Sequence, residues 1–187
     1  MNKLVIVTAT RAEYGLLSRL IKMFKVSDKI NTELVVTGSH LSSEYGMTIK
    51  EIENDGLTID KRIAILSDDN SEYGISETMS NAIINFSDYF KDSHPNAILV
   101  LGDRYEILAI CMAAINYKIP IIHLYGGEAT LGALDELIRN AITKLSFLHF
   151  TSTDEYRNRV IQMGEEPSRV YNVGSLGVEN IKEIPLL

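Results

Sequence analysis

Short apolar runs rich in β-branched residues alternate with longer segments of helical period along the whole chain. Most of these runs are apolar at every position, a pattern typical of parallel strands that are covered on both faces. Strand–helix repetition of this kind predicts a doubly wound, mostly parallel α/β sheet with right-handed crossovers. The length of 187 residues is sufficient for one such domain.

The pattern predicts the following elements. The predicted strands are Lys3–Thr8, Thr32–Thr37, Leu57–Ile63, Ala97–Leu101, Pro120–Leu124, Phe147–Thr151 and Val170–Val173. The predicted helices are Tyr14–Val26, Glu44–Asn54, Gly74–Lys91, Tyr105–Asn116, Leu134–Leu145 and Asp154–Met163. The expected core-facing side of the fourth helix comprises Ile107, Leu108, Cys111, Met112 and Ile115. We expect residues 1–173 to form one domain and residues 174–187 to begin a connector.

Composition excludes several classes of protein. A formal net charge of −7 argues against a nucleic-acid partner, because phosphates require clustered Lys and Arg. The single cysteine cannot form an internal disulfide or a cysteine-rich zinc site, and the histidines lack metal-ligand spacing. The chain also lacks the glycine fingerprints of dinucleotide sites and P-loops. Since no apolar run approaches the roughly 20 residues that span a bilayer, we expect a cytoplasmic protein without metal, cofactor or membrane partner.

The loop after the first strand combines a helix cap with a cation. Thr10 and Glu13 match a capping box, in which each side chain accepts a hydrogen bond from the backbone of the other residue. Arg11 would stand at the helix N-terminus, where its charge opposes the helix dipole. A bound anion such as a phosphate would explain a cation at this place, and a solvated surface arginine is the alternative.

Two charged residues follow the fourth strand directly. Asp103 is a good helix N-cap, and Glu106 fits the third helical position, so both have a structural interpretation. Ligands of doubly wound sheets bind at the carboxyl ends of the strands, however. At that edge Asp103 could transfer a proton beside an anionic group that Arg104 contacts.

The loop after the fifth strand is rich in glycine, which allows a ligand to approach the backbone closely. Glu128 lies in this loop and Asp135 lies at the start of the next helix. Two carboxylates in one pocket suit acid–base chemistry, because like charges separate their pKa values. Arg139 either forms an ion pair with Asp135 one turn away or contacts a ligand. His123, in the preceding strand, is either a hydrogen-bonded core residue or a pocket wall.

Together these loops resemble the hydrolysing UDP-N-acetylglucosamine 2-epimerases, particularly the branch that supplies N-acetylmannosamine for sialic acid synthesis. The resemblance extends from Lys3 to about Ile181. Its strongest motif is Gly126-Gly127-Glu128…Gly132…Asp135…Arg139-Asn140-Ala141-Ile142-Thr143-Lys144. It implies a Rossmann-like domain that is one half of a GT-B-like two-domain architecture. It also implies that a C-terminal domain is missing, that the isolated fragment is inactive and that the enzyme forms a homodimer.

The resemblance also implies a mechanism. Members of the family eliminate UDP across the C1–C2 bond of a nucleotide sugar after loss of the C2 proton, and then add water to the glycal. The products are UDP and the C2-inverted free sugar. The acid–base carboxylates implied by the resemblance are Asp103, Glu128 and Asp135. The implied substrate-binding residues are Arg11, Glu13, Arg104, Tyr125 and Arg139.

The chain departs from the family pattern at two places. The family commonly has His where this chain has Tyr125, and Arg-His where it has Arg139-Asn140. Tyr does not titrate near neutrality, and Asn cannot transfer a proton. Two alternative functions follow: a non-catalytic nucleotide-sugar-binding or assembly module of the same fold, and half of a GT-B glycosyltransferase.

Overall fold

The structure, a computed structural model, describes residues 2–130 and 132–183. Its strands are β1 (Asn2–Thr8), β2 (Ile30–Thr37), β3 (Lys61–Ile63), β4 (Ala97–Leu101), β5 (Ile121–Leu124), β6 (Leu148–Thr151) and β7 (Val170–Asn172). Its α-helices are α1 (Arg11–Lys25), α2 (Ile49–Asn54), α3 (Glu72–Ser93), α4 (Tyr105–Asn116), α5 (Leu134–Leu145), α6 (Asp154–Gln162) and α7 (Leu176–Glu183). Short 3₁₀ helices span Gly38–Leu41 and Pro167–Arg169.

The strands form one seven-stranded sheet in the order β3-β2-β1-β4-β5-β6-β7, and every neighbouring pair is parallel. The sheet grows from β1 towards β3 on one side and from β4 towards β7 on the other. Its topological switch point therefore lies between β1 and β4. The predicted doubly wound, parallel α/β fold is confirmed.

Helices cover both faces of the sheet, and alternate residues of each inner strand point to opposite layers. On one face Ile6 of β1 packs with Leu17 of α1. On the other face Val5 of β1 packs in a cluster with Phe86 of α3 and Ile110 of α4. None of the helices within the described residues is long and apolar enough to cross a membrane.

Two predicted elements are shorter than expected. The helix predicted from Glu44 begins at Ile49, because Gly46 and Met47 have φ values of 83° and 48°, outside helical geometry. The predicted third strand is limited to β3. Just before β3 the carboxylate Oδ2 of Asp60, instead of a strand carbonyl, accepts the backbone N–H of Leu34 at 2.6 Å.

The predicted buried side of α4 is partly wrong. Ile107 and Cys111 are fully buried, as predicted, but Met112 and Ile115 are each 41% exposed. The core side of this helix includes the small residues Ala109, Ala113 and Ala114. Alanine is less hydrophobic than Met or Ile, so a prediction based on hydrophobicity places Met112 and Ile115 in the core instead.

The predicted connector 174–187 contains a helix that the sequence pattern did not predict. This helix, α7, packs against α1, where Asn180 Nδ2 donates to the carbonyl oxygens of Gly15 (3.1 Å) and Leu16 (3.3 Å). Residues 184–187 of the predicted connector, and residues 1 and 131 of the predicted domain, lie outside the described residues. The division at residue 173 stays a prediction.

Candidate functional site

Arg139 on α5 joins the loops that follow β4 and β5. Its Nη2 forms an ion pair with Oδ2 of Asp103, and its Nη1 donates to the carbonyl oxygen of Glu128 (2.7 Å) and to Oγ1 of Thr130 (3.2 Å). The Arg139 side chain is only 7% exposed. Asp103 and the backbone of Glu128 therefore meet at one buried guanidinium group. The alternative in which Arg139 pairs with Asp135 is wrong, because the guanidinium turns inward to Asp103.

Asp103 does not cap α4, contrary to one interpretation of the sequence. The N-cap is Arg104, which makes no side-chain capping bond, and Glu106 is the second helical residue instead of the third. The carboxylate of Asp103 is engaged by Arg139, and Oε1 of Glu106 accepts a hydrogen bond from Arg104 Nε at 2.6 Å. Both carboxylates thus bind arginines in preference to free backbone N–H groups.

The carboxylate of Glu128 is held by a residue that sequence analysis missed. Ser152 Oγ donates to Glu128 Oε1 at 2.7 Å. The position of Ser152 immediately after β6 is the signal that could have revealed it, since functional residues follow strands in this fold. Within the part of the chain that the structure describes, Glu128 Oε2 has no hydrogen bond.

The loop that carries Glu128 depends on glycine at position 127. Gly127 has a φ of 79°, and a Cβ atom there would lie 2.5 Å from the carbonyl oxygen of Tyr156 and 2.8 Å from Cγ2 of Val160. Only glycine accommodates both this left-handed conformation and the close approach to α6. The glycine-rich motif therefore sets the path of the backbone to Glu128.

Asp135 stands apart from the other two predicted acid–base carboxylates. It lies in the first turn of α5, one turn before Arg139, and is exposed. Among the described residues it has neither a hydrogen bond nor an ion pair. The structure therefore brings the Asp103 carboxylate and the backbone carbonyl of Glu128 to one guanidinium group, and it places Asp135 on the solvent side of α5.

Arg11 and Arg104 line one cavity of about 340 Å³ at the switch point of the sheet. Arg11 is largely exposed and pairs with Glu51 (Nε to Oε1, 2.9 Å), which is the kind of surface pair that contributes little to stability. The guanidinium of Arg104 lies over the ring of Tyr105, 5.6 Å from its centroid. Hydroxyl groups that line the same cavity belong to Thr10, Ser39, Tyr45, Thr48 and Tyr105. Two guanidinium groups among hydroxyl donors suit a phosphate-bearing ligand.

Glu13 is buried beside this cavity and completes the predicted capping box of α1, which is confirmed. Its Oε2 accepts the backbone N–H groups of Ala9 (2.7 Å) and Thr10 (3.3 Å), whereas Oε1 is buried without a hydrogen-bond partner among the described residues. Burial raises the pKa of Glu13 to about 7, and the charge of Glu106 adds to this effect. The hydrogen bond from Ala9 and the charge of Arg104 oppose it. Glu13 is therefore partly protonated at neutral pH.

The raised pKa of Glu13 predicts a loss of stability with increasing pH. Between the unfolded value of 4.5 and about 7 the unfolded chain loses the Glu13 proton while the folded protein keeps it, so the free energy of unfolding falls. At about 1.4 kcal/mol per unit, the loss amounts to roughly 3 kcal/mol above pH 7. We expect Glu13→Gln, which preserves the capping box, to remove this loss. Urea unfolding at pH 5 and pH 8 measures it, and parallel pH profiles of the two proteins would contradict the prediction.

Tyr125 and His123 lie next to these loops without a hydrogen bond to the Arg139 guanidinium group. The hydroxyl of Tyr125 lies 3.3 Å from Ser175 Oγ at the start of α7. His123 is a hydrogen-bonded core residue, since it is fully buried with Nε2 2.8 Å from the Gly102 carbonyl oxygen. Burial lowers the pKa of His123 to about 4. Within the described ranges no group of three or more His, Cys, Asp or Glu side chains could hold a metal ion.

Comparison with known proteins gives a consistent family match. The family model described as UDP-N-acetylglucosamine 2-epimerase matches residues 22–185. The chain is 46% identical to polysialic acid biosynthesis protein P7 of Escherichia coli over 186 residues. It is 43% identical to the GDP/UDP-N,N'-diacetylbacillosamine 2-epimerase (hydrolyzing) of Campylobacter jejuni. Each alignment covers 100% of this chain and 48% of the relative, so the chain spans about half the length of these curated relatives.

Solved structures show the same fold. The crystal structure of UDP-GlcNAc 2-epimerase from Neisseria meningitidis, bound to UDP-GlcNAc, superposes with a TM-score of 0.83 at 23% identity. The match covers 97% of this chain and 51% of that chain. At this level of identity the likeness establishes the fold, and the chain again corresponds to about half of the larger molecule.

Proposed function

The chain belongs to the UDP-N-acetylglucosamine 2-epimerase family, and from this premise we propose that it forms the catalytic N-terminal half of a hydrolysing 2-epimerase. In the complete enzyme, a GT-B-like pair of domains would hold a UDP-linked N-acetylamino sugar in the cleft between them. The substrate we propose is UDP-N-acetylglucosamine, and the products are N-acetylmannosamine and UDP. The isolated chain, with one side of the cleft only, would be inactive.

The observation that carries this proposal is the meeting of Asp103 and the Glu128 loop at Arg139. Removal of the weakly acidic C2 proton requires a base, and cleavage of the C1–O bond benefits from proton donation and positive charge. We assign these proton transfers to Asp103 and Glu128. We assign a further proton transfer to Asp135, on the solvent-exposed side of α5.

The departing diphosphate requires positive charge to stabilise it. We assign that role to Arg11 and Arg104, because both line the cavity at the switch point and the guanidinium fork suits phosphate oxygens. Glu13 and Glu106 would then orient Arg104, since the Glu106 carboxylate binds Arg104 Nε directly. Arg139 would keep the two catalytic loops at a fixed separation.

A fusion protein tests the proposal: this chain continued by the C-terminal half of the Escherichia coli relative. We expect the fusion protein to release UDP and a free reducing sugar from UDP-N-acetylglucosamine, and this chain alone to release neither. The GDP/UDP-N,N'-diacetylbacillosamine 2-epimerase (hydrolyzing) of Campylobacter jejuni, assayed with the sugar nucleotide in its name, serves as the positive control for nucleotide release. A folded fusion protein that binds the sugar nucleotide without releasing UDP would indicate a binding module. Transfer of sugar to an acceptor would indicate a glycosyltransferase.

The sugar itself is tested by a second arm of the same assay. The relatives' names include N,N'-diacetylbacillosamine, which carries a second acetamido group. Our proposal requires a higher kcat/KM with UDP-N-acetylglucosamine than with UDP-N,N'-diacetylbacillosamine. A higher kcat/KM with UDP-N,N'-diacetylbacillosamine would leave the proposed reaction standing and would contradict the proposed substrate.

We further propose that the chain assembles as a homodimer through the outer face of α4 and α5. The twelve residues of α4 include one charged side chain, Glu106, and it is 1% exposed. On the outer face Met112 and Ile115 are each 41% exposed, and Leu134 and Leu137 are each 67% exposed. A second copy would oppose the uncharged outer surface of α4 to the same surface of its partner, which limits repulsion between two chains of net charge −7.

Introducing charge on this face is expected to produce a monomer. In the double variant Met112→Glu, Ile115→Glu the like charges would oppose each other across the two-fold axis without disturbing the core. Sedimentation at micromolar concentration should give the dimer mass for the unmodified chain and half of it for the variant. Val26→Glu, at a position 85% exposed on the opposite face, is the matched control and should remain dimeric. An unmodified chain that sediments as a monomer would contradict this assembly.

A further inference from the structure

Tyr125, between β5 and the glycine-rich loop, has a left-handed backbone with a φ of 66°. A residue with a side chain adopts this conformation only where surrounding contacts over-determine it. One such contact is the backbone N–H of Tyr125, which donates to the carbonyl oxygen of Phe150 in β6 at 3.0 Å. The strain therefore lies three residues before Glu128.

The side chain of Tyr125 extends to α7. Its hydroxyl lies 3.3 Å from Ser175 Oγ and accepts the backbone N–H of Gly177 at 3.3 Å. The ring lines an apolar cavity of about 250 Å³ together with Leu20 of α1 and Leu176 of α7. The hydroxyl thus contacts the first turn of α7, while α1 contacts the same helix further along through Asn180.

The segment between Tyr125 and Glu128 is tightly packed. A Cβ atom at Gly126 would lie 3.1 Å from both His123 Nδ1 and Thr143 Oγ1, and one at Gly127 would contact the backbone of α6. Both glycines are therefore closely enclosed by neighbouring groups, which restricts how far the loop can move. A shift of Tyr125 would therefore be passed along the backbone to Glu128.

We infer that Tyr125 is a positioning residue that couples the placement of α7 to the placement of Glu128. The inference rests on the proposed catalytic role of Glu128. The series of contacts that carries the coupling begins at Ser175 and passes through the Tyr125 hydroxyl to residues 125–128 and Arg139. In this inference Tyr125 acts through the position of Glu128 instead of on the reacting atoms. Its hydroxyl is the only part that Phe would remove.

The coupling is measured in this chain by the amide NMR signals of Gly127 and Glu128. Ser175 is 47 residues after Glu128 in sequence. A second route runs from Val173 through Thr151 to Ser152 and Glu128, so the Tyr125→Phe background is needed to isolate the part of the Ser175→Ala shift that passes through the Tyr125 hydroxyl. We expect the shift in the unmodified background and its loss in the Tyr125→Phe background. Tyr171→Phe, which removes a hydroxyl that donates to the Ser168 carbonyl oxygen, is the matched control and should leave the Ser175→Ala shift intact. Equal Ser175→Ala shifts in both backgrounds, or none in either, would overturn the inference.

The consequence for catalysis is measured in the fusion protein. Tyr125→Phe should lower kcat about tenfold with KM within about twofold, because a misplaced catalytic group affects the transition state more than substrate binding. A Tyr125→Phe variant with unchanged kcat would overturn the catalytic part of the inference. A fusion protein inactive without any substitution would instead contradict the proposed function, and the NMR result on this chain would still decide whether the coupling exists.

Discussion

Replacing Glu128 by Gln in the fusion protein is expected to lower kcat by about 10³-fold, the middle of the range for loss of a general acid or base. The amide retains an oxygen that can accept the hydrogen bond from Ser152, so the loop should keep its position. The amide cannot exchange a proton with the substrate, however. We therefore expect the free energy of unfolding to change by less than about 0.5 kcal/mol, as for a substitution without a cavity or a buried unpaired group.

The matched control for this variant is Glu155→Gln on the exposed first turn of α6, which should leave kcat unchanged. Steady-state kinetics of UDP release and urea unfolding together separate chemistry from stability. A Glu128→Gln protein with kcat within about threefold of the unmodified enzyme would remove Glu128 from the acid–base machinery. A large loss of stability would assign Glu128 a structural role instead.

Replacing Arg139 by Met is expected to destabilise this chain by about 3 kcal/mol, the lower range for breaking a buried ion pair. The substitution leaves the carboxylate of Asp103 without its partner and removes the donor to the Glu128 carbonyl oxygen. For a domain of this size the melting temperature should fall by roughly 6–12 °C. Urea unfolding and calorimetry both measure the effect.

The control for Arg139 is another arginine that pairs with a carboxylate near the surface. Arg159 is 35% exposed and lies 3.4 Å from Glu136, so Arg159→Met should cost less than about 1 kcal/mol. A double variant, Asp103→Leu with Arg139→Met, should recover much of the stability, because it removes both charges. Equal losses for Arg139→Met and Arg159→Met would show that burial does not strengthen the Asp103–Arg139 pair.

The local features of the fold were predictable from short stretches of sequence. The central strands β1 and β4 are recognisable because each contains a continuous apolar run. The start of α1 is recognisable because Thr10 and Glu13 satisfy a capping box within four residues. The prediction failed where the outcome depended on packing. On α4, Met112 and Ile115 are hydrophobic but partly exposed, because the side of the helix that faces the core carries alanines such as Ala109 and Ala113.

The candidate site shows the same division. Its loops were predictable, because parallel strands bring their carboxyl ends to one edge and polar residues follow those strands. The partner of Arg139 was not predictable, because helical spacing favours Asp135 at four residues' distance while the guanidinium binds Asp103, which is 36 residues away. Ser152 was missed for the same reason, since it meets Glu128 across 24 residues.

The sequence by itself determined the alternation of strands and helices, the edge at which the functional loops gather and the family motifs in those loops. Periodicity, capping and glycine requirements act over a few residues, so they can be read without knowing the packing. The tertiary structure alone decided which carboxylate meets Arg139, which residue holds Glu128 and where the hydroxyl of Tyr125 lies. Those contacts join distant segments, and their energies depend on burial and distance that only the folded chain defines.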